Sequence, residues 1–597
     1  MFGTLNGRHF ICFAIQLPLT VLVHSLSLLR AGSYNRLPMA ILEKKLGRLG
    51  LVVLAVWLFF FLALDSMVHD SPTMDEQNHL ARGAAFVKTA DPRLSLEHPP
   101  LINSLSGLPL LLLPDLQYPF DHPSWTDLQP PDIYWYDFAD QFVWRMNHDV
   151  TRMIFLGRLP IVFLTLGLAL VGFHFAREFW GRPSGILAFI LLLFEPNVLA
   201  NGRLITTDLG GTLFITLALL LMWRLWSTSD WAWKRWLAAG VGLGLAFGSK
   251  LSMLTFVPIL GCLALLPIFD AKAQRRSGVF KRVTQLGTAG LLSILVVWAL
   301  YGFEWGMFRF PSETLAGLNQ FSGPMPTFWA GLDQIVNVSR GGRAAFLLGE
   351  TSTDGFLLFF PVAFLVKTPL VLLVGLLGVM WWGWQRPSVR PKLLFLFVPA
   401  VLYFGVSVLS GINIGYRHLL PILPLIIVGV SGLPTAFAVR SNGRRLVSLG
   451  LALGILLPTL WIHPHYLSYF NLAAGGPANG ASILADSSND WGQDLLRLQD
   501  WLVENDVVSI KLGWFGIADP AYYGIAYEPL PGFPRAEFLS IWDTPPFNPA
   551  MPEPGLYAIS ASSLWESHRS EKSVYAWFRQ REPEARIGYS IYIFRVP

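Results

Sequence analysis

Cysteine and charge are what this sequence has least of. Only Cys12 and Cys262 occur in 597 residues, and both lie in apolar stretches. That argues against a disulfide framework or a cysteine-built metal site. Charged residues are 14% of the chain against 53% hydrophobic, with a mean hydropathy of +0.47. A soluble domain carries about 25% charged residues, so an ordinary soluble fold is excluded. What is abundant instead is apolar runs approaching the ~20 residues that cross a bilayer. The chain reads as an α-helical polytopic membrane protein. Its net charge of +5 is therefore no sign of nucleic-acid binding. No repeat period emerges.

Eleven main spans are predicted, near 48–66, 154–175, 184–201, 208–225, 236–249, 251–269, 284–303, 356–383, 393–410, 418–439 and 445–462. Every second connecting loop is basic, with Lys44, Lys45 and Arg48, then Arg177 and Arg182, then Arg224, Lys234 and Arg235 at its start. The positive-inside bias puts these loops in the cytoplasm. The loops 67–153 and 304–355 and the tail 463–597 then face outward. Ahead of the first span, 10–29 is another apolar stretch. It fits a signal-like segment, an extra span or an upstream extension ahead of Met39, within an N-terminal extension 1–45.

The first outward loop is too long for a connector. Its later part mixes Trp125, Trp135, Tyr136, Phe138 and Trp144 with acids, which predicts short helices lying on the membrane surface. In the tail, Gln493–Asn505 has helical periodicity, and Val507–Leu512 and Ile587–Val596 read as strands. A small outward α/β domain is expected there.

Acids at a membrane surface are costly unless they pair, bind or react. Asp75-Glu76 follows the first span, and Glu97-His98-Pro99-Pro100-Leu101 follows some twenty residues later. A carboxylate within reach of a hydroxyl takes its proton if it stays ionised; solvated loop charge is the bland alternative. The two prolines hold His98 and Glu97 in a fixed direction. His98 is a candidate for phosphate or a metal, and Glu97 for a divalent metal, a rigid loop with a surface histidine being the plain alternative. Asp208, in Thr206-Thr207-Asp208 at the outward end of the fourth span, is a second acid, in a segment that also reads as an N-cap. Glu195 reads as a neutraliser of Arg203 or Arg158. Cations are rare on the outward side, where Arg203, Lys250 and Arg417 stand, with Arg158 one turn inside the second span. They either snorkel to headgroups or hold an anionic ligand such as a lipid phosphate. Lys367 reads as deep in its span, or as the start of it with Phe356–Val366 at the interface.

The order of these motifs resembles the C-type (GT-C) polyprenol-dependent glycosyltransferases, close to bacterial members of the protein O-mannosyltransferase and lipid A aminoarabinose transferase group, family 39. Asp75-Glu76, Glu97 to Leu101 and Asp208 carry it, with Gly349 to Ser352, Lys367-Thr368-Pro369, Asn413 to Pro421, Tyr469-Phe470-Asn471 and Asp490-Trp491-Gly492-Gln493-Asp494. It covers about 40–495. The resemblance implies a GT-C-like catalytic domain, 46–462, in the bacterial cytoplasmic membrane. It implies inverting transfer from a polyprenyl-phosphate-linked sugar to an acceptor protein, lipid or glycan on the outer face. By resemblance Asp75 is the general base, Glu76 supports it, and Asp208 is a second site acid. Glu97 matches a glutamate that ligates metal in that subgroup. His98 stands where the aminoarabinose transferases have a lysine near the lipid phosphate, a departure that shifts phosphate binding toward Lys250 and Arg417.

One rival is a transporter, which also places charges in a polytopic protein. The polar residues here cluster at one membrane face, not at mid-depth. Another is a scaffold or receptor whose tail binds an outside partner, against which the length of the first outward loop and its paired acids argue. A nucleotide-sugar enzyme would want a soluble Rossmann-like domain on the cytoplasmic side, and none is seen.

Overall fold

The computed structural model describes residues 39–129, 133–227, 232–266, 275–437, 441–532, 544–567 and 573–597. The apolar stretch 10–29 lies outside the described residues. Among them, seven helices are long and apolar enough to cross a membrane: Gly50–Val68, Val150–Trp180, Thr207–Trp226, Gly278–Leu300, Pro387–Leu409, Tyr416–Ala436 and Asn442–Ile462. An eighth is broken, because Phe359–Lys367 and Leu370–Gln385 meet at 106°. Pro369 follows Thr368, which is extended at ψ 131. A proline pushes the preceding residue out of the helical region and removes a backbone donor. Lys367 thus ends one helix, and the span starts anew at Leu370.

Of the eleven expected spans, up to eight are matched among the described residues by helices of crossing length, the broken pair counted as one. Three of the expected spans are shorter helices, Arg182–Leu193, Trp233–Phe247 and Leu251–Leu265. The first stops because Glu195 precedes Pro196 and is extended at ψ 121. The second stops at Gly248, which packs against Leu300 so closely that a Cβ there would collide with it.

Thr207–Trp226 and Tyr416–Ala436 are the central helices, 72% and 89% buried. Beyond their first turns both are predominantly apolar, as suits helices enclosed by others. At one end the Pro100–Gly107 helix of the long first loop packs on Thr207–Trp226, Ile102 against Gly210, and the Glu76–Thr89 helix packs on Pro100–Gly107. These two cross in backbone contact: a Cβ on Gly83 would collide with the Asn103 carbonyl, and one on Gly107 with the Ala84 nitrogen. Glycine permits that approach, and it fixes the direction from which residue 75 enters.

The C-terminal segment forms a five-stranded mixed sheet. Its order is Tyr527–Pro529, Ile510–Gly513, Gly555–Ser560, Ile591–Val596, Ala585–Ile587. The first three strands are parallel, Ile591–Val596 runs antiparallel to Gly555–Ser560, and Ala585–Ile587 pairs antiparallel with Ile591–Val596. With the Leu495–Glu504 helix, this is the small α/β unit anticipated from the tail. The aromatic stretch of the first loop does form short helices, but their rings are not spread on a membrane surface. Trp125, Trp135, Phe138, Phe142 and Trp144 are buried in one core with Leu495, Leu498, Ile510 and Trp514. The sheet unit supplies the apolar partner that the sequence left unnamed.

Candidate active site

Asp75 stands at the start of the Glu76–Thr89 helix, yet its side chain caps nothing. The neighbouring acid takes that part: Thr73 donates its backbone N–H (2.8 Å) and its hydroxyl (3.1 Å) to Glu76 Oε2. The Asp75 carboxylate is left to turn away, one quarter exposed. Arg417 Nη1, at the start of the Tyr416–Ala436 span, donates to Asp75 Oδ2 at 2.9 Å. The same nitrogen lies 3.7 Å from Asp208 Oδ2, and Lys250 Nζ donates to Asp208 Oδ1. Four elements distant in sequence therefore deliver an alternating row, Asp75, Arg417, Asp208, Lys250. Thr206 occupies the N-cap position of the Thr207 helix but makes no side-chain cap bond. Asp208, in its first turn, is turned to Lys250 instead.

Burial pushes the Asp75 carboxyl up, and Arg417, His79 and Arg343 more than offset it, so it lies below the usual carboxylate value. Asp75 is ionised at neutral pH and can accept a proton. His98 closes one side, with Nδ1 3.4 Å from the Thr207 hydroxyl and its ring 4.7 Å from that of His79. Burial, with His79, Arg82, Lys250 and Arg417 nearby, pushes His98 well below 6.5. Burial likewise pushes His79 down to about 4. His98 is thus a neutral hydrogen-bonding group here, not the partly charged contact expected from its type.

Six other sequence candidates are placed elsewhere. Glu76 and Arg158 form a pair with side chains 0% and 2% exposed. Arg158 spends its remaining donors on the carbonyls of Met67, Asp70 and Ser71. Arg203 is buried against Asp70. Neither arginine has a free face for a phosphate, and Glu76 has none for substrate. Glu97 accepts from Arg82 Nη2 at 2.7 Å. No group of three or more His, Cys, Asp or Glu among the described residues is placed to hold a metal ion. The acid expected as a ligand is instead an ion-pair partner. Glu195 neutralises neither arginine. It accepts from Val198 N (2.7 Å) and Asn197 Nδ2 (2.8 Å), a helix-capping arrangement. Lys367 is buried and donates to the carbonyls of Leu467 and Ser488.

The structure adds residues that the sequence did not single out. Asp486 is half-buried with φ 55, and burial pushes it up to about 6 although Arg417 opposes this. Asp75 and Arg343 also act on it. Trp491 lies beneath Arg417, with the guanidinium carbon 4.1 Å from its ring centroid. Trp491 belonged to a motif already noted. Asp486 had only its nearness to that motif, and Arg343 only its place in the second long loop.

Residues 149–301 match the family model described as dolichyl-phosphate-mannose-protein mannosyltransferase. The segment holds Arg158, Arg203, Asp208 and Lys250 but not Asp75 or Arg417. No curated protein matches the chain significantly. Among solved structures, the chain is similar to ArnT from Cupriavidus metallidurans bound to undecaprenyl phosphate. Identity is 12% over 91% of this chain and 97% of that one, with a TM-score of 0.45. It is also similar to the archaeal oligosaccharyltransferase AglB from Archaeoglobus fulgidus, in complex with an inhibitory peptide and a dolichol-phosphate. There identity is 14%, over 70% of this chain and 55% of that one, with a TM-score of 0.43. Over residues 149–301 the chain is thus similar to the dolichyl-phosphate-mannose-protein mannosyltransferases, and its described residues include several helices fit to cross a membrane.

Proposed function

We propose that this protein transfers a sugar from a polyprenyl-monophosphate donor to an acceptor hydroxyl, with inversion, at the outer face of a bacterial cytoplasmic membrane. The observation that carries the reading is the convergence of Asp75, Arg417, Asp208 and Lys250 in one row with the Asp75 carboxylate still exposed. In the reaction the acceptor hydroxyl gives its proton to Asp75 as its oxygen bonds to the anomeric carbon. The bond from that carbon to the phosphate oxygen breaks from the opposite face, and polyprenyl phosphate leaves with the electron pair. Arg417 and Lys250 are placed to hold the charge that gathers on the phosphate, the task that pre-aligned cations do best in a dry site. Asp208 keeps both cations apart and oriented. His98, being neutral, serves as a hydrogen-bonding group.

A transporter would need its polar residues at mid-depth. Here Asp208 and Arg417 sit in the first turn of their helices, and Asp75 and Lys250 lie outside the spans, which supports transfer at a surface. The reading extends to hexosyl or pentosyl donors and to protein, lipid or glycan acceptors. The C-terminal unit, tied to the row through Asp490 and Trp491, helps select the acceptor in this reading.

The test is sugar transfer by purified protein supplied with polyprenyl-phosphate-linked sugars and cell-envelope acceptors. Asp75→Asn, which keeps the shape and removes the base, lowers turnover by about 10³-fold with normal membrane insertion. Turnover near that of the unmodified protein removes Asp75 from the mechanism.

A further inference from the structure

The motif Asp490-Trp491-Gly492-Gln493-Asp494 holds no group that the proposed reaction consumes. Its placement is nonetheless specific. The Trp491 carbonyl accepts from Met74 N at 2.9 Å, one residue before the acid at 75. The next carbonyls continue the grip, Gly492 on the Ser71 hydroxyl (2.8 Å) and Gln493 on Ser71 N (3.0 Å). On its other side the same turn holds the segment that leads to Arg417. Ser487 Oγ donates to the Ile414 carbonyl at 2.6 Å, and Tyr416 N donates to Ser488 Oγ at 3.1 Å.

Trp491 itself is 1% exposed. Its ring lies flat enough under the guanidinium for a cation–π contact at 4.1 Å. Arg417 Nε is buried with no hydrogen-bond partner. Only Nη1 is bonded to a carboxylate, so the ring, not a second hydrogen bond, fixes the plane of the guanidinium. The turn is held in its shape from behind. Gly492 has φ 89, where a side chain is strained and a Cβ would press on Gly516. Asp490 Oδ2 accepts from Ser562 N at 2.7 Å in the sheet unit.

We infer that Trp491 is a positioning residue. Its main-chain carbonyl holds the Asp75 loop at Met74 while its ring carries Arg417, and through it the C-terminal unit sets the angle at which the guanidinium meets Asp75. The inference rests on the proposed function for its catalytic consequence, but the placement of Arg417 is testable without turnover.

The experiment compares the full-length protein in detergent with Trp491→Phe, which keeps a ring, and Trp491→Leu, which keeps apolar volume without one. The first readout is modification of Arg417 by phenylglyoxal, mapped by mass spectrometry. Trp491→Leu is expected to label faster by about tenfold, the scale of a lost cation–π contact, and Trp491→Phe to stay within about threefold of the parent. The second readout is the pH profile of transfer. With Arg417 turned away, Asp75 holds its proton more tightly, so the acidic limb of kcat/KM moves to higher pH in Trp491→Leu and stays in place in Trp491→Phe. Equal labelling in all three proteins overturns the inference. So does an equal loss of activity in both variants with the limb unmoved, because that is packing alone. If the parent protein transfers no sugar, the functional reading fails while the labelling still decides the placement.

Discussion

Arg158→Met separates two roles that the residue type allows, a ligand for a donor phosphate and a buried structural tie. In the structure Arg158 directs every donor inward. Nε reaches Glu76 Oε1 (2.8 Å) and Nη2 reaches Glu76 Oε2 (2.7 Å) and the Ser71 carbonyl (3.1 Å). Nη1 reaches the carbonyls of Met67 (2.7 Å) and Asp70 (2.9 Å). Methionine fills much of the volume and offers no donor. Breaking a buried pair from one side costs about 3–5 kcal/mol because the other charge is left uncompensated. Glu76 keeps Thr73 N, the Thr73 hydroxyl and Ile205 N (2.9 Å), which softens that cost. The three carbonyls each lose a partner, which adds to it. A net loss of about 4 kcal/mol follows. Adding Glu76→Gln removes the stranded charge, and the double variant should recover about 2 kcal/mol. The acid dependence follows from Glu76. Burial pushes it up, but Arg158 and the backbone N–H groups outweigh this, so its folded value lies below 4.5. Stability from that shift is present above 4.5 and is lost as the pH falls. The gap between parent and variant therefore narrows below about pH 4.5. The assay is equilibrium unfolding in mixed micelles followed by circular dichroism. A variant as stable as the parent, or a double variant no better than Arg158→Met, refutes the structural assignment. A raised donor KM at unchanged stability would restore the phosphate role.

Three further outcomes are expected. Lys250→Met strips Asp208 of one partner and should raise the donor KM by about tenfold, with acceptor KM unmoved; unchanged kinetics for both substrates would count against a phosphate role. Glu97→Gln should lower stability by about 2 kcal/mol, because Arg82 loses a charged partner. Its response to added divalent metal should equal that of the parent, and a selective loss of metal response would bring back the ligand reading. Burial pushes Asp490 up to about 7, with the Ser562 hydrogen bonds opposing. A raised acid favours the folded state while protonated, so its contribution is full below 3.8 and is lost as the pH rises through about 7. Asp490→Asn should therefore gain on the parent in melting temperature from pH 4 to 7 and level off above, and a difference independent of pH would reject this.

Much of the architecture was legible along the chain. Long apolar runs give spans because a bilayer demands it, and the long helices lie where those runs lie. The boundaries at Thr368-Pro369 and Glu195-Pro196 are local steric facts, yet how sharply the chain bends there is not. Three runs that read as spans are short helices, because apolar content does not distinguish a full crossing from a helix buried among others. The aromatic stretch of the first loop shows the same limit from the other side. Its period announces an apolar face, but lipid and protein offer that face the same free energy, and only the fold reveals the C-terminal sheet as its partner.

The candidate row divides along the same line. Residue type and position relative to the spans were enough to pick out Asp75, Asp208, Lys250 and Arg417 from the sequence. The same rule picked Arg158, Arg203, Glu76 and Glu97, which lie in the same stretches of chain and carry the same charges. Both sets are paired with partners from elsewhere in the chain, Asp75 with Arg417 across 342 residues as Glu76 with Arg158 across 82 and Asp70 with Arg203 across 133; what sets the row apart from those two buried pairs is that the Asp75 side chain stays one quarter exposed. Sequence by itself determined that this is a membrane protein with acids and a few stray cations near the ends of its spans, since hydropathy and charge are properties of single residues. Which of those charges neutralise one another and which stay open to a ligand was decided only by tertiary structure, because an ion pair depends on distance in space, and the chain brings its partners together from hundreds of residues apart.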